Sequence, residues 1–144
     1  MQVRPKTVLT CGCFDILHVG HFVSLQFASQ QGNILVVALN CDDSVRRLKG
    51  KNRPICSYIE RRSHLLCLPF IDDVIPMVGD DPTVAIAEIR PSVFVKGGNY
   101  DKPEDLPEFS LATSFGCRVL LSPKVPYVST SIIEARIRKY LSTI

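Results

Sequence analysis

The chain has 144 residues, 46% hydrophobic and 22% charged, which predicts one globular domain over 1–144 with a core of useful size. A net charge of +3 is too mild to argue for nucleic acid, and no apolar run approaches the ~18 residues of a membrane span. The opening "MQVRPKTVLTCG" lacks a signal-peptide core, so the six cysteines read as buried free thiols in a reducing, cytoplasmic setting, not as a disulfide framework.

The first predicted strand is "VLTCGCF" (8–14). Next, "HVGHFVSLQFASQQG" carries apolar residues around one broad helical face and stops at Gly32. A second strand, "NILVVALN" (33–40), leads into a basic stretch, "RRLKGKNR" (46–53), read as a loop. The helix "SYIERRSHLLCLPF" precedes the strand "DDVIPM" (72–77). "TVAIAEIRP" is a helix ended by Pro91 and followed by the strand "SVFVKGG" (92–98). "LPEFSLATSFG" is a helix ended by Gly116, and "CRVLLSP" (117–123) is the last strand. The final helix, "STSIIEARIRKYL", offers Ser131 and Glu134 at capping-box spacing.

The strand candidates are almost continuously apolar, as strands covered on both faces should be. Their alternation with helices predicts an α/β fold: a Rossmann-like, doubly wound, parallel five-stranded sheet with helices on both faces. No repeat, low-complexity tract or linker divides it. Ligands of such sheets bind beyond the carboxyl ends of the strands, at a topological switch point. That rule directs attention to "GCFD", "NCDD", "KGGNY" and "PKVPYVSTS".

In "TCGCFDILHVGHF", Gly12 permits a tight turn after the first strand, and His18 and His21 share one face of the first helical turn. Helix-start N–H groups already attract phosphate, and two imidazoles add directed donors. Gly20 leaves room for close approach. A structural histidine pair is the alternative. A metal site with Cys11 and Cys13 is disfavoured by its compressed spacing and by strand alternation. His64 lacks a motif and reads as structural.

"GCFDILHVGH" resembles the HxGH signature of the cytidylyltransferase-like nucleotidyltransferases, and the likeness runs along nearly the whole chain. "LNCDDSVRRLKGKNRPI", "ERRSHLLCLPFIDDVIP" and "IRPSVFVKGGNYD" are similar to the adenylyltransferase that makes ADP-heptose. Glycerol-3-phosphate cytidylyltransferases are similar less closely. "YVSTSII" resembles the late Ser-Thr motif at a helix start.

The resemblance implies transfer of a nucleotidyl group from an NTP, ATP favoured, to a sugar or polyol phosphate, with Mg²⁺ accompanying the NTP. A heptose 1-phosphate is the favoured acceptor. The alternatives are a cytidylyltransferase using CTP and glycerol 3-phosphate or a similar polyol phosphate, and a nucleotide-binding module without catalysis. It further implies a homodimer acting on small molecules, with no nucleic-acid or membrane partner.

As implied roles, His18, His21, Lys49 and Arg61 are catalytic, and Lys51, Arg53 and Arg62 are weaker phosphate contacts. Cys13, Phe14, Gly20, Asp42, Lys96, Gly97, Ser129, Thr130 and Ser131 surround the nucleotide. Asp15 orders the turn or, with Lys124, faces the acceptor. No dedicated metal ligands are implied. The chain departs from the family pattern at Asn99, Tyr127, Ser131 and Lys124, which touches base and acceptor identity more than the phosphate machinery.

Overall fold

Five parallel strands occupy the middle of the protein, and their apolar residues are what hold the layers together. The computed structural model describes residues 5–144; residues 1–4, included in the domain assigned from sequence, lie outside the described residues. The strands are β1 (Thr7–Gly12), β2 (Ile34–Asn40), β3 (Asp73–Met77), β4 (Val93–Lys96) and β5 (Arg118–Leu121), ordered β3-β2-β1-β4-β5. Pro76 is tolerated because β3 lies at the sheet edge, where a missing backbone donor costs little.

The helices are α1 (Val19–Ser29), α2 (Asp42–Lys49), α3 (Tyr58–Leu66), α4 (Thr83–Ile89), α5 (Phe109–Ser114) and α6 (Thr130–Leu141), with a 3₁₀ turn at Pro103–Asp105. Alternate strand residues face opposite layers. Val8, Val37 and Val95 pack with Leu25 of α1 and Leu65 of α3, whereas Leu9, Ala38 and Phe94 pack with Ile86 of α4 and Ala112 of α5. Both faces are therefore covered, and the doubly wound reading stands. Leu25, Leu65 and Ile86 are fully buried. Truncating one of them to Ala should cost about 2–5 kcal/mol.

Three local expectations differ. Residues 46–49 of the basic stretch are the second half of α2, not loop: Asp42 and Asp43 favour its first turn, Arg46, Arg47 and Lys49 its last, and Val45 is buried. α6 is capped by Ser129, whose Oγ accepts from Ile132 N at 3.2 Å, so Ser131 is not the cap and Glu134 is released for another partner. The reciprocal capping box belongs instead to α3, between Ser57 and Glu60.

Candidate active site

β1 continues to β2 on one side, while β4 pairs with it on the other, so the sheet's switch point lies between β1 and β4. Above it opens a cleft of about 1100 Å³. Its floor holds Gly12 and Cys13 at the end of β1 and Lys96 and Gly97 at the end of β4. This is where the topology rule places a ligand.

The turn between β1 and α1 builds one wall. Phe14 adopts φ +46, and its buried ring lies over Gly12; a Cβ on Gly12 would come within 3.0 Å of that ring. His18 is itself the N-cap of α1, its Nδ1 accepting from Gly20 N at 3.1 Å. That bond assigns the neutral ring's proton to Nε2, leaving it as a donor. A Cβ on Gly20 would meet the His18 ring at 3.0 Å and Val128 at 3.2 Å, so a side chain here requires those neighbours to give way.

His18 and His21 stack with ring centroids 3.8 Å apart and planes 23° from parallel, and Phe14 tilts against His21 at 5.2 Å. Burial lowers the pKa of His18. Burial, with His18 beside it, pushes His21 down to about 4, the nearby Ile16 backbone opposing. Both rings are therefore neutral donors near pH 7. His21 Nδ1 is buried without a hydrogen bond of standard geometry.

Behind this wall lies a network of charges. Asp15 is 2% exposed; its carboxylate accepts from Ile55 N at 2.8 Å and Cys56 N at 2.8 Å. These bonds tie the segment after β1 to residues 55 and 56. Arg53 Nε lies 2.8 Å from Asp15 Oδ2 as an ion pair without hydrogen-bond alignment, and its Nη1 donates to Glu134 Oε1.

Arg61, expected at phosphate, is fully buried behind the turn instead. Its Nη1 donates to Cys13 O at 2.7 Å, Nε to Cys56 O at 3.0 Å and Nη2 to Asp42 Oδ1 at 2.7 Å. With all three nitrogens engaged by protein, it offers no free edge to a ligand. Asp42, expected in the nucleotide pocket, is correspondingly the carboxylate partner of Arg61 and does not line the cleft. Arg62 is also taken, donating to Val74 O at 3.2 Å.

The other expected residues do meet at the cleft. Lys49, Lys51, Lys124, Ser129, Thr130 and Ser131 all line it. Lys124 lies 3.6 Å from Asp101. Lys96 lies on the floor, its Nζ 3.0 Å from Glu108 Oε1 and 3.5 Å from Cys11 Sγ. Burial works against its charge, but Cys11 and Glu108 outweigh it and keep the ammonium's pKa above the usual lysine value. Burial also pushes the Cys11 thiol up to about 11, so at neutral pH the counter-charge is Glu108.

At Gly97 an added Cβ would make only ordinary contacts; Gly98, at φ +112, is the position that demands glycine. Tyr127, one of the departures, holds φ +59 with its side chain exposed. His64 lies outside this cleft, exposed on α3.

Sequence reasoning missed Glu108, Glu134 and Asp80. Each is the remote partner of a cation: Asp80 receives Arg47 at 2.7 Å and is held down to about 2 by that bond. Each carboxylate lining the cleft among the described residues, Asp15, Asp80 and Glu134, is paired with an arginine. No group of three or more His, Cys, Asp or Glu among them is placed to hold a metal. The six cysteines are free. No helix of the described residues is long and apolar enough to cross a membrane.

A glycine-based turn at a sheet switch point, with two histidines on the first helical turn, is carried by a chain whose residues 9–136 match the cytidylyltransferase-like family. The chain belongs to that family. It is 47% identical over 135 residues, 93% of its length, to the bifunctional protein HldE of Syntrophotalea carbinolica, and 43% identical over 134 residues to HldE of Aeromonas hydrophila. It spans only 27% and 28% of those proteins, about a quarter of the length of the curated relatives it matches.

Among solved structures it is similar to the lipopolysaccharide core biosynthesis protein of Thermoplasma volcanium, with a TM-score of 0.72 and 24% identity over 84% of this chain and 98% of that one. Pantothenate synthetase of Thermus thermophilus gives a TM-score of 0.60 at 14% identity, over 92% and 65% of the two chains. At these identities the likeness concerns the fold.

Proposed function

We propose that this chain, as a single nucleotidyltransferase domain over 1–144, transfers an adenylyl group from ATP to a heptose 1-phosphate and releases pyrophosphate. The observation that carries the reading is the stacked His18–His21 pair at the first turn of α1, opening on a cleft whose walls bear Lys49, Lys51 and the Ser129–Thr130 turn. Helix-start N–H groups, imidazole donors and ammonium groups are what a polyphosphate needs.

In the proposed reaction an acceptor phosphate oxygen attacks the α-phosphorus in line. The bond from that phosphorus to the bridging oxygen breaks, and the electron pair leaves with pyrophosphate. The nucleophile is already anionic, so no strong base is required. Positioning and charge stabilisation do the rest. His18 and His21 donate to the α-phosphate region; Lys49 and the Ser129–Thr130 turn hold the tail. Lys96, Gly97, Cys13 and Phe14 border the nucleoside, and Lys124 with Ser131 faces the acceptor.

Mg²⁺ is proposed as a companion of the triphosphate. The cleft's carboxylates are already paired with arginines, so they do not fit a protein cage for it. A cytoplasmic homodimer completes the reading: α6 has no buried residue and exposes Ile137, Tyr140 and Leu141.

The test is pyrophosphate release from each of the four NTPs with heptose 1-phosphate, glycerol 3-phosphate and related acceptors. Turnover with ATP and the heptose phosphate is expected. Turnover with CTP alone would make the chain a cytidylyltransferase, and tight NTP binding with no release would make it a binding module.

A further inference from the structure

α6 is an unusual wall for a phosphate site. It contributes Ser129, Thr130 and Ser131 to the cleft, yet none of its twelve residues is buried and it packs extensively against no other helix or strand. A helix of this length is marginal in water without tertiary support. Among the described residues, contacts that fasten it to the body include Val128, just before it, against Gly20 of α1, and Glu134, which accepts from Arg53 Nη1.

Arg53 is held on its other side by the buried Asp15, three residues before His18, in a turn pinned by the amides of Ile55 and Cys56. One guanidinium therefore joins the histidine turn to the helix that carries the Ser-Thr turn. Its surroundings are largely desolvated, with the Arg53 side chain 15% and the Glu134 side chain 26% exposed. There a charge-assisted bond is worth more than at the surface.

We propose that Arg53 and Glu134 are a positioning pair, fastening α6 so that the Ser129–Thr130 turn and the His18–His21 turn stand at the separation one polyphosphate requires. Arg53 then acts through α6 instead of serving as a phosphate ligand. This rests on the nucleotidyl-transfer reading for its catalytic consequence, but its structural part is independent of it. If the helix is loosened, the competent arrangement is only fractionally populated, and apparent NTP affinity falls by that fraction.

The experiment uses the full chain with Glu134→Ala and Glu134→Gln, measuring amide hydrogen exchange without nucleotide together with KM for the NTP and kcat by pyrophosphate release. In Glu134→Ala, exchange of α6 should speed up about tenfold, the scale for losing one charge-assisted bond. KM should rise roughly three- to tenfold while kcat falls less than about threefold. Glu134→Gln keeps an acceptor for Arg53 and should lie between Ala and wild type.

Wild-type α6 exchange and KM in Glu134→Ala would overturn the proposal. So would a loss in kcat at unchanged KM, which puts Glu134 in the chemical step, or lost protection across β1 and β4, which makes it a support of the core. A wild-type chain that releases no pyrophosphate from any NTP would defeat the transfer reading, and α6 exchange in the two variants would still decide the role of the pair.

Discussion

Arg61, without exposed surface, donates to the Cys13 carbonyl at 2.7 Å, directly behind the left-handed Phe14 that starts the histidine turn. The same guanidinium takes Cys56 O and Asp42 Oδ1, so it braces three segments at once. Arg61→Met would leave a carboxylate and two carbonyls with lost partners, and stability should fall by about 3–5 kcal/mol. Urea unfolding measures it; a loss under about 1 kcal/mol with a raised KM would return Arg61 to the role of phosphate ligand.

His18 has two roles that a single substitution can separate. Asn at this position can still cap α1 but lacks the Nε2 donor. His18→Asn should therefore keep stability within about 1 kcal/mol and lower kcat by about 10² or more, as for loss of one preorganised donor. His21→Ala should lower kcat similarly. Near-normal turnover in both would remove the pair from the mechanism.

The depressed His21 fixes a sign for pH. Its value in the fold, about 4, lies below the ordinary 6.5, so the fold prefers the neutral ring. The associated stability is fully present above about pH 6.5 and is lost as pH falls toward 4, amounting to at most about 3 kcal/mol. Urea midpoints at pH 7 and 4 should differ less in His21→Phe, which keeps a ring against His18. Equal pH dependence in the two proteins would contradict the assignment.

Gly20→Ala tests the closeness of the turn. The new Cβ would stand 3.0 Å from the His18 ring, so the ring must shift while the core is untouched. A loss of at least tenfold in kcat with a melting temperature within about 3 °C is expected, since misplacement of a catalytic group is costly out of proportion to its stability effect. Unchanged kcat would mean that the His18 position is not critical.

Much of this was legible in the residues. The strands announce themselves as apolar runs because both faces of the sheet are covered, and "HVGH" is short enough for helical spacing alone to put both imidazoles on one turn. α2 escaped notice because "DDSVRRLK" buries only Ser44 and Val45, leaving little apolar periodicity to read. Arg61 and Asp42 were assigned to ligand because nothing in the order of residues tells that carbonyls from positions 13 and 56 converge on one guanidinium. Glu134 looked like a cap partner because its spacing from Ser131 is right; the tertiary contact with Arg53, eighty-one positions away, overrides that local option.

The measurement that bears most directly on the central claim is a crystal structure of the chain with a non-hydrolysable ATP analogue. The account predicts α- and β-phosphate oxygens within hydrogen-bond reach of His18 Nε2 and the His21 ring, with the tail crossing to Lys49 and the Ser129–Thr130 turn. A nucleotide seated away from the β1–β4 switch point, with the two rings still stacked and touching no phosphate, would contradict it.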